Sequence, residues 1–393
     1  PMTRFLLGIN YWPVRSAMYA WERFDLGEIR EDLTRIKGLG LDVVRFFLLW
    51  QAFQPQPDRM DTGTLSNFQA MMDAVAEAGL HAMPTLFCGH MSGVNWLPAW
   101  TLDAQTPHGR FRTVTGDGES PYGIGDLYAD PFLLDAQERF ARAAGERVRN
   151  HPALLAWDLG NEFSNLREPA SPHDAARWSE RLTHALHETS GAPSTGGTHG
   201  EDLERDRNLR LSSLAAPWPY ATMHGYPVYS KWARDRSDAN VVPFLMQLTQ
   251  TFSTKRVLFS ELGNPTCHPE GAPSSEMQCL SEDEMAPYCH EAIDRLHARG
   301  ALGAFWWCWA DYAPELQTLP PFDRAPHELS FGIVRPDGSF KPVASALAKI
   351  AAEARTVTDP QPSILTESED AYYSSLPEGI FERYREYCAV YGD

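Results

Sequence analysis

Eight times along this chain an apolar run of strand length is followed by a helix or a helix-length gap, and no other feature constrains the fold as strongly. Such alternation reads as repeated βα units around a parallel sheet. Strands are expected at FLLGIN (residues 5–10), DVVRFFLL (42–49), HAMPTLF (81–87), LLAWDLGNE (154–162), PSTGGTH (193–199), YATMHGY (220–226), RVLFSE (256–261) and GAFWWCW (303–309). The helical stretches between them carry their own punctuation. Asp25 is a good N-cap for a helix with Leu26, Ile29, Leu33, Ile36 and Leu39 on one face, and Gly40 stops it. Further helices are expected over residues 64–79, 131–150, 173–190, 241–252, 281–299 and 343–355. Ser281 and Glu284 form a capping box for the sixth of these, and the unit after PSTGGTH is the weakest.

Eight such units in 393 residues point to an α/β fold, a single-domain (β/α)8 TIM barrel over residues 1–355. A doubly wound sheet that binds a dinucleotide would need a GxGxxG turn after its first strand, whereas residues 10–16 read NYWPVRS. Two connections after strands are long, 88–130 and 262–280, which is where barrel sites are built. From Thr356 onward Pro, Ser and acidic residues dominate until EGIFERYREY (378–387). Residues 356–393 therefore read as a C-terminal tail packing on the barrel, not a second domain.

In a barrel, polar residues at the C-terminal ends of strands face the site, while those in strand middles must be packed or paired. That rule selects Arg45 on the second strand, His90 after the third, Asn161 and Glu162 ending the fourth, His224 and Tyr226 on the sixth, Glu261 on the seventh and Trp307 on the eighth. Glu162 in WDLGNEFSN and Glu261 in VLFSELGNP stand out. Cleaving a glycosidic bond needs one carboxyl to protonate the leaving oxygen and another to attack or stabilise the anomeric carbon. Strands four and seven lie across a barrel from one another, so inward-pointing carboxylates can meet the separation of about 5–5.5 Å that retention requires.

The ordered set resembles the clan A glycoside hydrolases, and within them family 5 and its near relatives, whose hallmarks are Asn-Glu after strand four and Glu after strand seven. Asn161-Glu162, Glu261, Arg45 in VVRFF, His224-Gly225-Tyr226 and Trp307 match in order, and the likeness runs from about Phe5 to Arg355. The resemblance implies that Glu162 is the acid/base, Glu261 the nucleophile and Asn161 a ligand for the sugar 2-hydroxyl. Arg45 and Tyr226 would hold Glu261 as an anion, while His90, His224 and Trp307 would bind substrate. Many relatives have Pro after the acid/base, where this chain has Phe163, which bears on subfamily more than on mechanism.

Plainer readings bound these assignments. A single Glu in a chain with 52 acidic residues is ordinarily a solvated surface group, and only the strand-end setting lifts Glu162 and Glu261 above that. Trp306, Trp307 and Trp309 share one strand, so alternation sends them to two faces. Trp12, Trp50, Trp96, Trp100 and Trp232 are near expected βα loops and serve equally well as packing or as sugar platforms. The six cysteines lack CxxC spacing, so Cys267-His268 and Cys289-His290 make no zinc pattern, and reduced thiols are the expected state, with Cys267 and Cys279 placed to pair across one loop only if the protein is exported.

The net charge of −18 disfavours nucleic acid and anionic membranes as partners and suits a neutral oligosaccharide or glycoside. No apolar stretch is long enough to span a bilayer, and the opening PMTRFLLGIN leads into the first strand without a small-residue cleavage site, so a cytoplasmic location is expected. The expected activity is retaining hydrolysis of β-mannosides or related β-hexosides by double displacement, without metal or cofactor, from an oligosaccharide end. The two long loops, with Trp96, Trp100 and Tyr122, would wall a pocket. The alternatives are an endo-acting mannanase or glucanase, a non-catalytic carbohydrate-binding barrel, and a metal-dependent hydrolase, which would want several His and Asp ligands at strand ends.

Overall fold

The computed structural model describes residues 3–267 and 279–392. Among them eight parallel strands form the barrel: β1 (Leu6–Asn10), β2 (Val43–Leu49), β3 (His81–Cys88), β4 (Trp157–Leu159), β5 (Ser194–Gly196), β6 (Ala221–Gly225), β7 (Val257–Leu262) and β8 (Gly303–Trp306). The ladder runs β5-β4-β3-β2-β1-β8-β7-β6. Behind the strands lie α1 (Leu26–Gly38), α2 (Thr62–Glu77), α3 (Pro131–Arg147), α4 (Pro172–Ser190), the single turn α5 (Leu211–Leu214), α6 (Val241–Ser253), α7 (Glu282–Ala298) and α8 (Pro342–Ala352). This is the (β/α)8 barrel that the alternation implies, and its weakest unit is indeed the one after β5.

The local signals act as expected. Asp25 accepts the Glu28 amide hydrogen at 3.1 Å, and both capping-box bonds of Ser281 and Glu284 are made, each 3.1 Å. The fourth strand is shorter than its apolar run. It stops at Leu159 because Gly160 and Glu162 both adopt positive φ, +72° and +46°, which turns the chain out of the sheet.

Between β5 and β6, side chains close the barrel. Thr195 Oγ1 donates to the Tyr220 carbonyl at 3.0 Å, Thr198 Oγ1 donates to that of Thr222 at 2.6 Å, and Thr222 donates back to Gly196. At β6 and β7 the register shifts between Met223 and His224, which sets His224 directly beside Glu261.

The long connection after β3 forms a small sheet from His90–Met91, Val94–Trp96, Arg112–Thr115 and Gly118–Ser120, folded over the barrel mouth. Contrary to the expectation of reduced thiols, Cys267 and Cys279 are joined by a disulfide, and residues 268–278 between them, His268 included, lie outside the described residues. Beyond the barrel come α9 (Glu369–Ser374) and α10 (Glu378–Tyr391). Tyr372 donates to the Leu203 carbonyl at 2.7 Å and Tyr384 to Asp238 at 2.6 Å, so both helices are fixed against the β5 and β6 side of the barrel. No helix among the described residues is long and apolar enough to cross a membrane.

The β5–β6 seam is a direct test of closure. Thr198→Val keeps the side-chain shape and removes one closing hydroxyl from a fully buried position. It should cost about 1–3 kcal/mol in equilibrium denaturation; an unchanged midpoint would mean that the threonines do not close the barrel.

Candidate active site

Arg45 is the centre from which the site is assembled. Its position in β2 points the guanidinium into the barrel, where it is fully buried. Nε donates to Asp158 Oδ2 at 2.8 Å, one terminal nitrogen donates to Asn10 Oδ1 at 2.9 Å and Glu261 Oε2 at 2.6 Å, and the other to Asn161 Oδ1 at 2.9 Å. Burial alone would lower its pKa, but the charges of Asp158 and Glu261 outweigh that and raise it. Asn10 in turn donates to the Ser260 and Trp306 carbonyls, at 3.0 and 3.2 Å, so one polar layer ties β1, β2, β4, β7 and β8 together.

Above that layer the two glutamates face each other. Glu261 is nearly buried, with Arg45 on one oxygen and the Tyr226 hydroxyl 2.5 Å from the other. Glu162 keeps more contact with the pocket. His224 stands between them, its Nδ1 2.8 Å from Glu162 Oε2 and 3.3 Å from Glu261 Oε2. Burial drives the His224 pKa down to about 4, which keeps the ring neutral near neutrality. Ligand atoms of Glu162, His224 and Glu261 all lie within 4.8 Å of one another, so the two carboxylates approach closely with His224 between them.

The remaining expected residues converge on the same mouth. Asn161 donates to the His90 carbonyl at 2.9 Å, which leaves its other amide hydrogen free of that bond. His90 is held by Asn95 at 2.8 Å, with Nε2 3.9 Å from Glu162, and burial lowers its pKa. Trp307 lines the pocket and packs on Phe47 at 5.7 Å. Its strand neighbours point away: Trp306 lies against Tyr288 of α7 and Trp309 against Phe340. All eight residues selected from the sequence are thus brought together, Arg45 beneath the pocket and the other seven along its lining.

Comparison with known proteins agrees with this arrangement. The glycoside hydrolase family 42 model, described as beta-galactosidase, matches residues 18–188. No curated protein matches the chain in sequence. Among solved structures, the exo-beta-1,4-mannosidase Op5Man5 from Opitutaceae bacterium strain TAV5 aligns with a TM-score of 0.74 at 27% identity, over 89% of this chain and 60% of that one. The barrel is similar to clan A glycoside hydrolases related to family 5. Two structures called GH5_18 share its fold. The one from Streptomyces cattleya, in complex with GlcNAc, has a TM-score of 0.79 at 23% identity, covering 97% of this chain and 90% of that one. The one from Bifidobacterium longum subsp. longum, a Glu→Ala variant with Manb1-4GlcNAc, has a TM-score of 0.73 at 21% identity, covering 91% and 80%. The chain spans about 60% of the length of the Op5Man5 mannosidase.

Several residues of this glycoside hydrolase site escape a reading by strand ends. Thr85 and Asp158 sit inside apolar runs, where a polar side chain must find a partner, and theirs are one another and Arg45, while Asn10 ends β1, was open to the strand-end rule and also accepts from Arg45. His199, at the end of the PSTGGTH segment, lines the pocket beside Asn165 and was open to the same rule. Glu328 and Tyr229 come from irregular segments without any strand signal, and burial raises the Glu328 pKa to about 7. The expected wall residues are corrected. Trp96 is buried with its indole nitrogen on the Met91 carbonyl, Trp100 bonds the Gln54 carbonyl, and Tyr122 lies outside the pocket lining. Phe111, Tyr229 and Phe331 stand there instead, because the loop sheet turns its tryptophans inward to fill its own core.

Glu162, His224 and Glu261 also make a three-ligand set for a cation among the described residues. A divalent ion there would face the Arg45 guanidinium, already 2.6 Å from Glu261, so the donor set is poorly suited to a metal.

His199 offers a test that is separate from activity. Burial alone would lower its pKa, but Asp202, 3.2 Å away, raises it to about 9, and His199 helps to hold Asp202 down to about 2. Unfolded His and Asp titrate at about 6.5 and about 3.9. The pair therefore stabilises fully between those values, and its contribution is lost as pH rises through 9 or falls through 2. Melting temperatures of wild type and His199→Gln should differ most between about pH 4 and 6.5 and converge above pH 9. A gap that persists at high pH would remove the charged pair from the account.

Proposed function

We propose that this barrel is a retaining β-glycosidase that releases a β-mannose or related β-hexose from the end of an oligosaccharide. The carrying observation is the facing pair Glu162 and Glu261, with ligand atoms within 4.8 Å, one open to the pocket and the other locked by Arg45 and Tyr226. That close approach suits direct attack by one carboxylate, the retaining arrangement.

In the first step the Glu261 carboxylate attacks the anomeric carbon, and the glycosidic bond breaks as Glu162 protonates the leaving oxygen. Two bonds fix Glu261 in the attacking position, so little reorganisation is needed during the reaction. In the second step Glu162 removes a proton from water, which displaces Glu261 and leaves the sugar with its original anomeric configuration. Neutral His224 bonds Glu162 and keeps it aimed between these two tasks. Asn161 has an amide hydrogen available for the 2-hydroxyl of the bound sugar.

An end-cutting mode is supported by the shape of the site. A cavity of about 320 Å³ is walled on one side by Phe111 of the loop sheet and on the other by His327, Glu328 and Phe331. A β-mannoside as substrate is supported by the names of the similar proteins, an exo-beta-1,4-mannosidase and a GH5_18 structure with Manb1-4GlcNAc. The match to a model described as beta-galactosidase makes the galactoside the natural comparison.

A panel of 4-nitrophenyl β-mannoside, β-glucoside and β-galactoside tests the sugar. Turnover should be greatest for the mannoside, with the β-anomer formed first by NMR and with no loss on adding chelator; first appearance of the α-anomer would remove Glu261 as nucleophile. Early mixed oligomers from mannan would instead indicate internal cutting.

Substitutions separate the two glutamates. Glu261→Ala should abolish turnover, whereas Glu162→Ala should lose about 10²–10⁴-fold on substrates that need protonation and much less on those with good leaving groups. Azide should restore turnover of Glu162→Ala and give a β-glycosyl azide; near wild-type rates in Glu261→Ala would overturn the assignment.

A further inference from the structure

Beside the central pocket lies a second cavity of about 760 Å³. The two share Arg110, Phe111, Asn165, Glu201, Glu204 and Tyr229 in their linings, so they are continuous through these side chains. The outer cavity is bounded by the segments that follow β4 and β5, including Ser164 to Glu168, directly after Glu162. Because Glu162 protonates the leaving oxygen, this is the side on which the leaving group must project. The far wall comes from α10, through Pro377, Ile380 and Phe381.

Phe381 has no evident structural task. It is 45% exposed while its neighbour Ile380 is buried. Its backbone is nonetheless held firmly. Tyr384, one turn further along α10, bonds Asp238 at 2.6 Å and packs its ring 4.8 Å from Trp232, and Tyr387 packs 5.3 Å from Phe244. An aromatic ring presented to a cavity on a fixed helix is a preorganised apolar platform.

Arg110, Arg205 and Arg207 in the lining are matched to carboxylates and Arg167 donates to the Ile124 carbonyl, which leaves Lys231 as the cation with no ion pair among the described residues, while Glu168, Glu201 and Glu204 offer acceptors to the hydroxyl groups of a ligand. Arg110 makes two 2.9 Å bonds to Glu201, Arg207 bonds the same carboxylate at 2.5 Å, and Arg205 bonds Glu168. Arg207 is buried in this lining, and its Nε–H has no hydrogen-bond partner among the described residues, with Glu168 Oε1 3.9 Å away. Carboxylate acceptors for hydroxyl hydrogens beside one exposed aromatic face are groups that bind a pyranose.

We infer that the outer cavity is a binding site for a second leaving-group sugar, with Phe381 of the C-terminal helix as its platform, so that the tail of this chain takes part in substrate selection. The inference rests on the glycosidase reading for the direction in which the chain of sugars runs.

Kinetics with 4-nitrophenyl β-mannoside, β-1,4-mannobiose and β-1,4-mannotriose test it. In an end-cutting site only mannotriose reaches the outer cavity. Phe381→Ala should lower kcat/KM for mannotriose about fivefold, mainly through KM, and leave the other two substrates unchanged, while Phe381→Trp should retain the wild-type preference. Equal changes on all three substrates, or none on mannotriose, overturn the outer site. Calorimetric titration of mannotriose into Glu162→Gln, with and without Phe381→Ala, separates this inference from the reading beneath it. If wild type cleaves no β-mannoside but mannotriose binds in a Phe381-dependent way, the mannosidase reading falls and the outer site stands. Absence of binding, or binding indifferent to Phe381, overturns the site whatever the turnover.

Discussion

A single buried guanidinium holds this barrel's polar interior together. Arg45 is surrounded by Asp158 of β4, Asn161 just after it, Glu261 of β7 and Asn10 of β1. Burying two carboxylates and one cation carries a desolvation cost of several kcal/mol for each ion, which is offset only where every donor is used in good geometry. Here four side chains accept from it, and the cation also lies over the Phe47 ring at 4.9 Å. Without it Asp158 and Glu261 would be buried charges with no counterion, a loss of about 3–5 kcal/mol by the usual behaviour of broken buried pairs. The same contact that keeps the core intact orients Glu261, so stability and the attacking geometry depend on one residue.

The second constraint is conformational. Glu162 sits at φ +46°, in the left-handed region that a non-glycine residue seldom adopts. Its amide donates to the Gly197 carbonyl at 2.8 Å, which fixes the turn to β5. Gly197 has no substitute there, since a Cβ would stand 2.0 Å from the Gly160 oxygen. The end of β4 and the end of β5 are therefore locked backbone to backbone, and Glu162 is held facing β7 at a local conformational cost of order 1–3 kcal/mol. Strain of this kind persists only when its surroundings over-determine it, as the β4–β5 contact and the His224 bond do here.

Around this rigid centre the access side is built from parts of the chain distant in sequence. The loop sheet after β3 contributes Phe111, the segment after β8 contributes Glu328 and Phe331, and α10 contributes Phe381. None belongs to a barrel strand, which is how one barrel supports different substrates by varying its loops. The tail helices are part of this assembly because Tyr372 and Tyr384 bond directly to the segments after β5 and β6.

Periodicity and strand-end position were sufficient to read the barrel, its helices and the seven selected residues that line the pocket, because each is set by local rules, whereas Arg45, expected at the end of the second strand, is the third of seven residues in β2 and lies beneath the pocket. Apolar runs must enter the sheet, caps must satisfy helix ends, and a polar residue ending an inward strand must face the mouth. Asp158 was hidden because a polar residue within an apolar run announces only that a partner exists, not which one, whereas Asn10 ends the first strand and was legible by the strand-end rule. His199 was legible by the strand-end rule, yet its pairing with Asp202 was not. The walls were misread for a related reason: an aromatic in a loop looks the same whether it fills the loop's own core, as Trp96 does, or faces the ligand, as Phe111 does. Sequence by itself determined which strands exist and which ends carry chemistry. Tertiary structure alone decided the register shift that sets His224 beside Glu261, the approach of the two carboxylates and the reach of Phe381 into the outer cavity, because these depend on packing between segments up to several hundred residues apart.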